Sequence, residues 1–70
     1  MKVYVLTFDN CDYRGTVGVY TDKKNAVVHA EKAQKELYPQ YNFYWCHNDY
    51  ISDTKDCMAE WTINEQTIQQ

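Results

Sequence analysis

Apolar and polar positions alternate near both ends of this chain and recur at helical spacing between them. Residues Lys2–Phe8 read KVYVLTF, rich in β-branched and aromatic types without a breaker, and predict a strand. Asp9–Gly15 (DNCDYRG) is a polar turn cluster closed by glycine, and Thr16–Tyr20 (TVGVY) is a second strand, so the two form a hairpin. Gly18 inside that strand points to a bulge or to close approach by another group. Thr21 can cap a helix through its hydroxyl, and Asp22 suits the positive end of the helix dipole. From there Ala26, Ala30, Ala33 and Leu37 make one apolar stripe, with Glu31 placed four residues before Lys35 on the solvent side. Pro39 ends the helix by forcing Tyr38 towards an extended conformation.

Tyr41–His47 (YNFYWCH) predicts a third strand, and residues 48–56 (NDYISDTKD) read as a polar, acidic loop. A fourth strand over Cys57–Asn64 alternates Cys57, Ala59, Trp61 and Ile63 against Met58, Glu60, Thr62 and Asn64. Residues 65–70 are polar and are expected to fray. The order is ββαββ: one α+β domain over residues 1–64, a four-stranded antiparallel sheet with one helix packed on one face.

One helix covers only one face of such a sheet. Because the helix stripe is mostly alanine, the sheet approaches closely and supplies most of the core volume. Ala59, Trp61 and Ile63 mark the inner side, and Val3, Val5, Val17, Val19, Tyr41, Phe43 and Trp45 are placed with them. Tyr4, Leu6, Phe8, Tyr20, Tyr44 and Met58 then fall on the outer face, which is a large apolar area to leave in water. If strand one is flipped, Val3 and Val5 replace Tyr4 and Leu6 there. A covering loop or tail, a second copy of the chain, or a foreign partner could each occupy this face. The candidate partner-binding residues are therefore Tyr4, Phe8, Tyr20 and Tyr44 on the sheet, with Asp49, Tyr50 and Asp53 from the acidic loop.

Composition sharpens this in one respect. Seven tyrosines, two tryptophans and two phenylalanines in 70 residues are a high aromatic load. Tyrosine is enriched where proteins touch partners, and it is also a good strand former. Ten acids against seven bases give a net charge of −3, which argues against a nucleic-acid backbone as the main partner. A chain of this length buries only about 60% of the surface its unfolded form exposes, and a single core supplies roughly 3–5 kcal/mol. The three cysteines, Cys11, Cys46 and Cys57, lack CxxC spacing and read as free thiols of a reducing cytoplasm, with a Cys46–Cys57 bridge as the alternative. Neither a signal peptide nor a membrane span is expected.

The same residues supply little chemistry. Cys46, His47 and Cys57 are suitable zinc ligand types, but neighbours on a strand point to opposite faces, so Cys46 and His47 do not converge on one ion. Cys–His catalysis needs a base and an orienting group, and Asp49 and Asp53 on a loop do not form such a set. Acids in turns, such as Asp9 and Asp12, usually bond their own backbone. His29 lies at the edge of the helix stripe. No catalytic residue, metal or cofactor is expected.

The opening KVYVL (Lys2–Leu6) and the segment GVYTDKKNA (Gly18–Ala26) resemble small phage and mobile-element proteins of ββαβ type. The resemblance covers residues 2–37 and extends, in size and order, to compact anti-defence inhibitors, including some anti-CRISPR proteins. It implies a phage accessory protein that binds and inhibits or modulates a host protein, and it carries no functional residue across. The alternatives are a single-stranded nucleic-acid binder stacking bases on Tyr4, Phe8 and Tyr44, and a structural homodimer. The first is disfavoured because Lys23, Lys24, Lys32 and Lys35 gather on the helix.

Overall fold

The computed structural model describes residues 1–69 and runs β1 (Lys2–Asp9), β2 (Arg14–Tyr20), α1 (Lys23–Leu37), β3 (Phe43–Cys46), β4 (Asp49–Ser52) and β5 (Glu60–Thr67). The strands form one antiparallel sheet in the order β2-β1-β5-β4-β3, so the first and last strands lie side by side at its centre. The α+β class, the single helix and the antiparallel sheet stand as expected. The sheet has five strands rather than four.

The additional strand is β4, inside the segment read as an acidic loop. His47 and Asn48 make a two-residue turn, His47 taking a positive φ of 58°, and the chain pairs back along β3 from Cys46↔Asp49 to Phe43↔Ser52. Asp49 tolerates a strand position because its carboxylate accepts the Thr62 hydroxyl at 3.0 Å. β3 accordingly begins at Phe43, not Tyr41. β5 begins later than expected and passes Asn64, pairing Glu65, Gln66 and Thr67 with Tyr4, Val3 and Lys2. Beyond it the Ile68 N–H donates to the Met1 carbonyl at 2.8 Å. The tail expected to fray is therefore ladder as far as Thr67, and at Gln70 that expectation lies outside the described residues.

Asp22, rather than Thr21, caps α1, its carboxylate accepting the Lys24 N–H at 3.0 Å. Tyr38 ends the helix at φ −133° and ψ 58°, out of the helical region that the following proline disfavours but short of the extended conformation expected. Ala26, Ala30 and Gln34 are the buried helix positions, while Leu37, expected in the stripe, is exposed. Gln34 is admitted because its polar atoms are all used. Its Nε2 donates to the carbonyls of Tyr38 (2.9 Å) and Tyr41 (3.0 Å), and its Oε1 accepts the Tyr50 hydroxyl at 3.3 Å.

β1 and β2 present the opposite sides from those first assigned. Leu6 and Phe8 are buried against Ala26 and Ala30, with Tyr4 and Tyr20 packed alongside, whereas Val5, Val17 and Val19 stand on the side away from the helix. Val3 is buried too, but by alternation it shares the side of Val5 and lies outside the main cluster. The reason is volume. Both sides of KVYVLTF are apolar, and a helix that buries alanine methyls at Ala26 and Ala30 leaves space that Leu6 and Phe8 fill better than valine. Phe43 and Trp45 face the core as expected.

Candidate functional site

The helix side of the sheet is an aromatic layer. Phe8 packs on Trp61 with ring centres 4.6 Å apart, Tyr38 and Phe43 meet Trp61 edge-on, and Trp45 stacks on Tyr50 at 4.6 Å and 28°. The Trp45 indole N–H donates to Glu31 Oε2 at 3.2 Å. Burial, and then the negative charge of Glu31, push the Tyr50 hydroxyl above its ordinary value of 10.0. Among the described residues no buried side-chain nitrogen or oxygen lacks a partner.

Four of the residues proposed from sequence belong to this side. Phe8 and Tyr50 are buried, and Tyr4 and Tyr20 are half-buried against the core. They do not form an exposed aromatic face, which corrects the expectation of one. Tyr20 is held by His29, its hydroxyl meeting Nδ1 and the rings lying edge to face at 5.7 Å. Burial raises the Tyr20 hydroxyl as well. The glycines serve such contacts: a Cβ on Gly18 would come within 2.7 Å of the Tyr20 hydroxyl, and one on Gly15 within 2.3 Å of the Tyr13 hydroxyl. Each glycine lets a tyrosine two residues away lie over its own strand. Gly18 also adjoins a bulge, since Leu6 pairs with Gly18 and Thr7 with Thr16, leaving Val17 as the extra residue.

The remaining three are reached from outside. Tyr44 is 49% exposed on the helix-free side, Asp49 is half-buried on that side, and Asp53 is exposed after β4. On this face Thr16, Thr7, Thr62, Asp49 and Cys46 form one row, and Arg14, Asp9, Glu60, Ile51 and Tyr44 form another. Thr7 donates to the Thr62 carbonyl at 3.4 Å. The only base there, Arg14, is held by Asp9 at 2.8 Å. Sequence reasoning missed Val17 (36% exposed) and Val19 (59%) as surface residues. The signal available was the pairing of a bulky alternate set in β1 with an alanine helix.

Cys11 and Cys46 are exposed, Cys57 is partly buried, and none is bridged. Among the described residues no cluster of three or more histidine, cysteine or carboxylate side chains is placed to hold a metal ion. No helix among them is long and apolar enough to cross a membrane. The chain belongs to the family described as a domain of unknown function, DUF7336, which matches residues 1–65. No curated protein and no solved structure matches it.

Proposed function

We propose that this chain is a non-catalytic protein-binding module that offers the helix-free face of its sheet, with the adjoining edge of β2, to a partner. The supporting observation is the exposure of Val17, Val19 and Tyr44 on one face, flanked by threonines and by carboxylates. Association would remove this apolar area from water, at about 25 cal/mol per Å². The likeness to small phage proteins favours a host protein, engaged in defence or in handling nucleic acid, as that partner, met in the host cytoplasm. Nucleic acid itself is disfavoured, because the face carries Asp9, Asp49 and Glu60 against one base already paired.

A second reading, a homodimer, is favoured by β2. Seven residues long, it pairs among the described residues only with β1, and its other edge is open there to a strand from a second copy. The test uses Val19→Lys combined with Tyr44→Ala beside wild type. The double variant is expected to keep its circular dichroism and lose the protein that wild type retains from native-host lysate. Equal retention by both overturns the assignment of this face. Sedimentation of purified wild type as a dimer, reversed by the variant, selects the second reading. Oligonucleotide anisotropy should stay flat at physiological salt, and tight, salt-sensitive binding would move nucleic acid to first place.

A further inference from the structure

At one end of the molecule the β1–β2 turn, the C-terminus of α1 and the loop before β5 border an open, shallow cleft of about 420 Å³. Tyr38 and the buried Ala59 belong to its lining, and Leu37 (60% exposed) and Met58 (66%) stand in it as bare apolar side chains. Asp12 and Asp56 also line it, and a smaller adjoining hollow is lined by Asp9 and Glu60. No lysine or arginine lines either one. Asp9 is neutralised by Arg14, but among the described residues the carboxylates of Asp12, Asp56 and Glu60 have no ion-pair or hydrogen-bond partner. The negative end of the α1 dipole opens at the same place, at Leu37 and Tyr38.

Leu37 breaks the helix stripe here, and Met58 breaks the alternation leading into β5. Both are apolar side chains that the chain's own core does not use. A thioether on a flexible side chain adapts to an apolar guest, while unpaired acids around a base-free cleft draw a cation and steer its approach. We propose that this cleft docks a short basic segment of a partner protein, in which one large apolar side chain is flanked by lysine or arginine. The apolar side chain seats between Leu37 and Met58, and the flanking cations meet Asp12 and Asp56. The site lies at the loop end of the molecule, adjoins the open sheet face at Asp9 and Glu60, and shares no lining residue with Val17, Val19 or Tyr44.

Selection from a random peptide library on the immobilised protein tests this directly. Three proteins are compared: wild type, the cleft variant Asp12→Asn/Asp56→Asn/Leu37→Ser/Met58→Ser, and Val19→Lys/Tyr44→Ala from the open face. All four cleft substitutions are at exposed positions, so the fold is expected to survive, as circular dichroism checks. Wild type and the open-face variant should enrich peptides with lysine or arginine beside a large apolar residue, and the cleft variant should not. The best enriched peptide should bind Asp12→Asn/Asp56→Asn about tenfold more weakly than wild type, and the gap should narrow as salt rises. Its amide chemical-shift changes should centre on Cys11, Leu37 and Met58. Enrichment of acidic or uncharged peptides, equal enrichment by the cleft variant, shifts centred on the open face, or no enrichment would each overturn the proposal.

Discussion

On the helix side of the sheet, Trp61, Leu6 and Ile63 are enclosed, the Trp45 indole N–H donates to Glu31, and the Tyr50 hydroxyl donates to Gln34. On the other side of the same strands, Val17 and Val19 meet solvent beside a row of threonines. The two sides differ less in hydrophobicity than in volume and in polar bookkeeping. Large aromatics are placed where an alanine helix leaves room, and on the other side Val17 and Val19 are left exposed while Val3 is buried. A patch of valine is tolerable in water in a way that the Phe8–Trp61–Tyr50 layer would not be. The side that looks functional by its aromatics is therefore structural, and the side with modest residues is the one a partner can reach.

The contrast breaks first at Ala30. Its side chain is fully enclosed against the sheet, so Ala30→Asp places an unpaired charge in the aromatic layer and is expected to leave the chain unfolded, by circular dichroism, at room temperature. A helix stripe with room for a carboxylate would instead give a cooperative transition near that of wild type.

A smaller and more specific effect is expected at Tyr50. Tyr50→Phe leaves Gln34 Oε1 without its donor and should cost about 1 kcal/mol in urea denaturation at neutral pH. Burial and Glu31 raise the folded hydroxyl above 10.0, so the folded state holds its proton more tightly than the unfolded chain does. That stability is fully present below pH 10 and is lost as pH rises through the folded value. The gap between wild type and Tyr50→Phe should therefore narrow in strong alkali. A gap constant with pH would show that the phenol is not what the layer protects.

The smallest effect is predicted on the open side. Val19→Thr should shift stability by no more than about 0.5 kcal/mol, because the residue is 59% exposed and threonine keeps the β-branched shape. A loss comparable to that of a core truncation would mean that the open face is covered after all.

Much of this architecture is legible in the sequence, and the misses have physical causes. The end of the helix follows from its proline and its start is placed to within a residue, with the cap at Asp22 instead of Thr21, and the inward set Ala59, Trp61 and Ile63 follows from alternation. In β1, alternation is silent, because both faces of KVYVLTF are apolar and only the partner's small side chains decide between them. β4 is hidden because Asp49 and Ser52 look like loop residues until Thr62 and the Thr54 N–H are seen bonded to them. Gln34 is hidden because a polar residue enters a stripe only when its partners satisfy it, here the Tyr38 and Tyr41 carbonyls just past the helix and the Tyr50 hydroxyl from β4. Of the residues proposed for binding, Tyr44 and Asp53 are accessible, and Phe8 and Tyr50 are consumed by the core. Tyrosine content alone could not separate them.

The pairing of β1 with β5 also sets when this chain can fold. Lys2 meets Thr67 and Asp9 meets Glu60, so the central ladder joins segments far apart in the sequence. The β1–β2 hairpin and the helix can form early, but each lacks the strand that carries Trp61 and Ile63 until that strand has been made. Closing so long a loop must be paid before any contact rewards it, which places folding at roughly milliseconds or slower despite the small size. Until then Leu6 and Phe8 are uncovered on the growing chain, and the interval between making β1 and making β5 is when they are most open to misassociation.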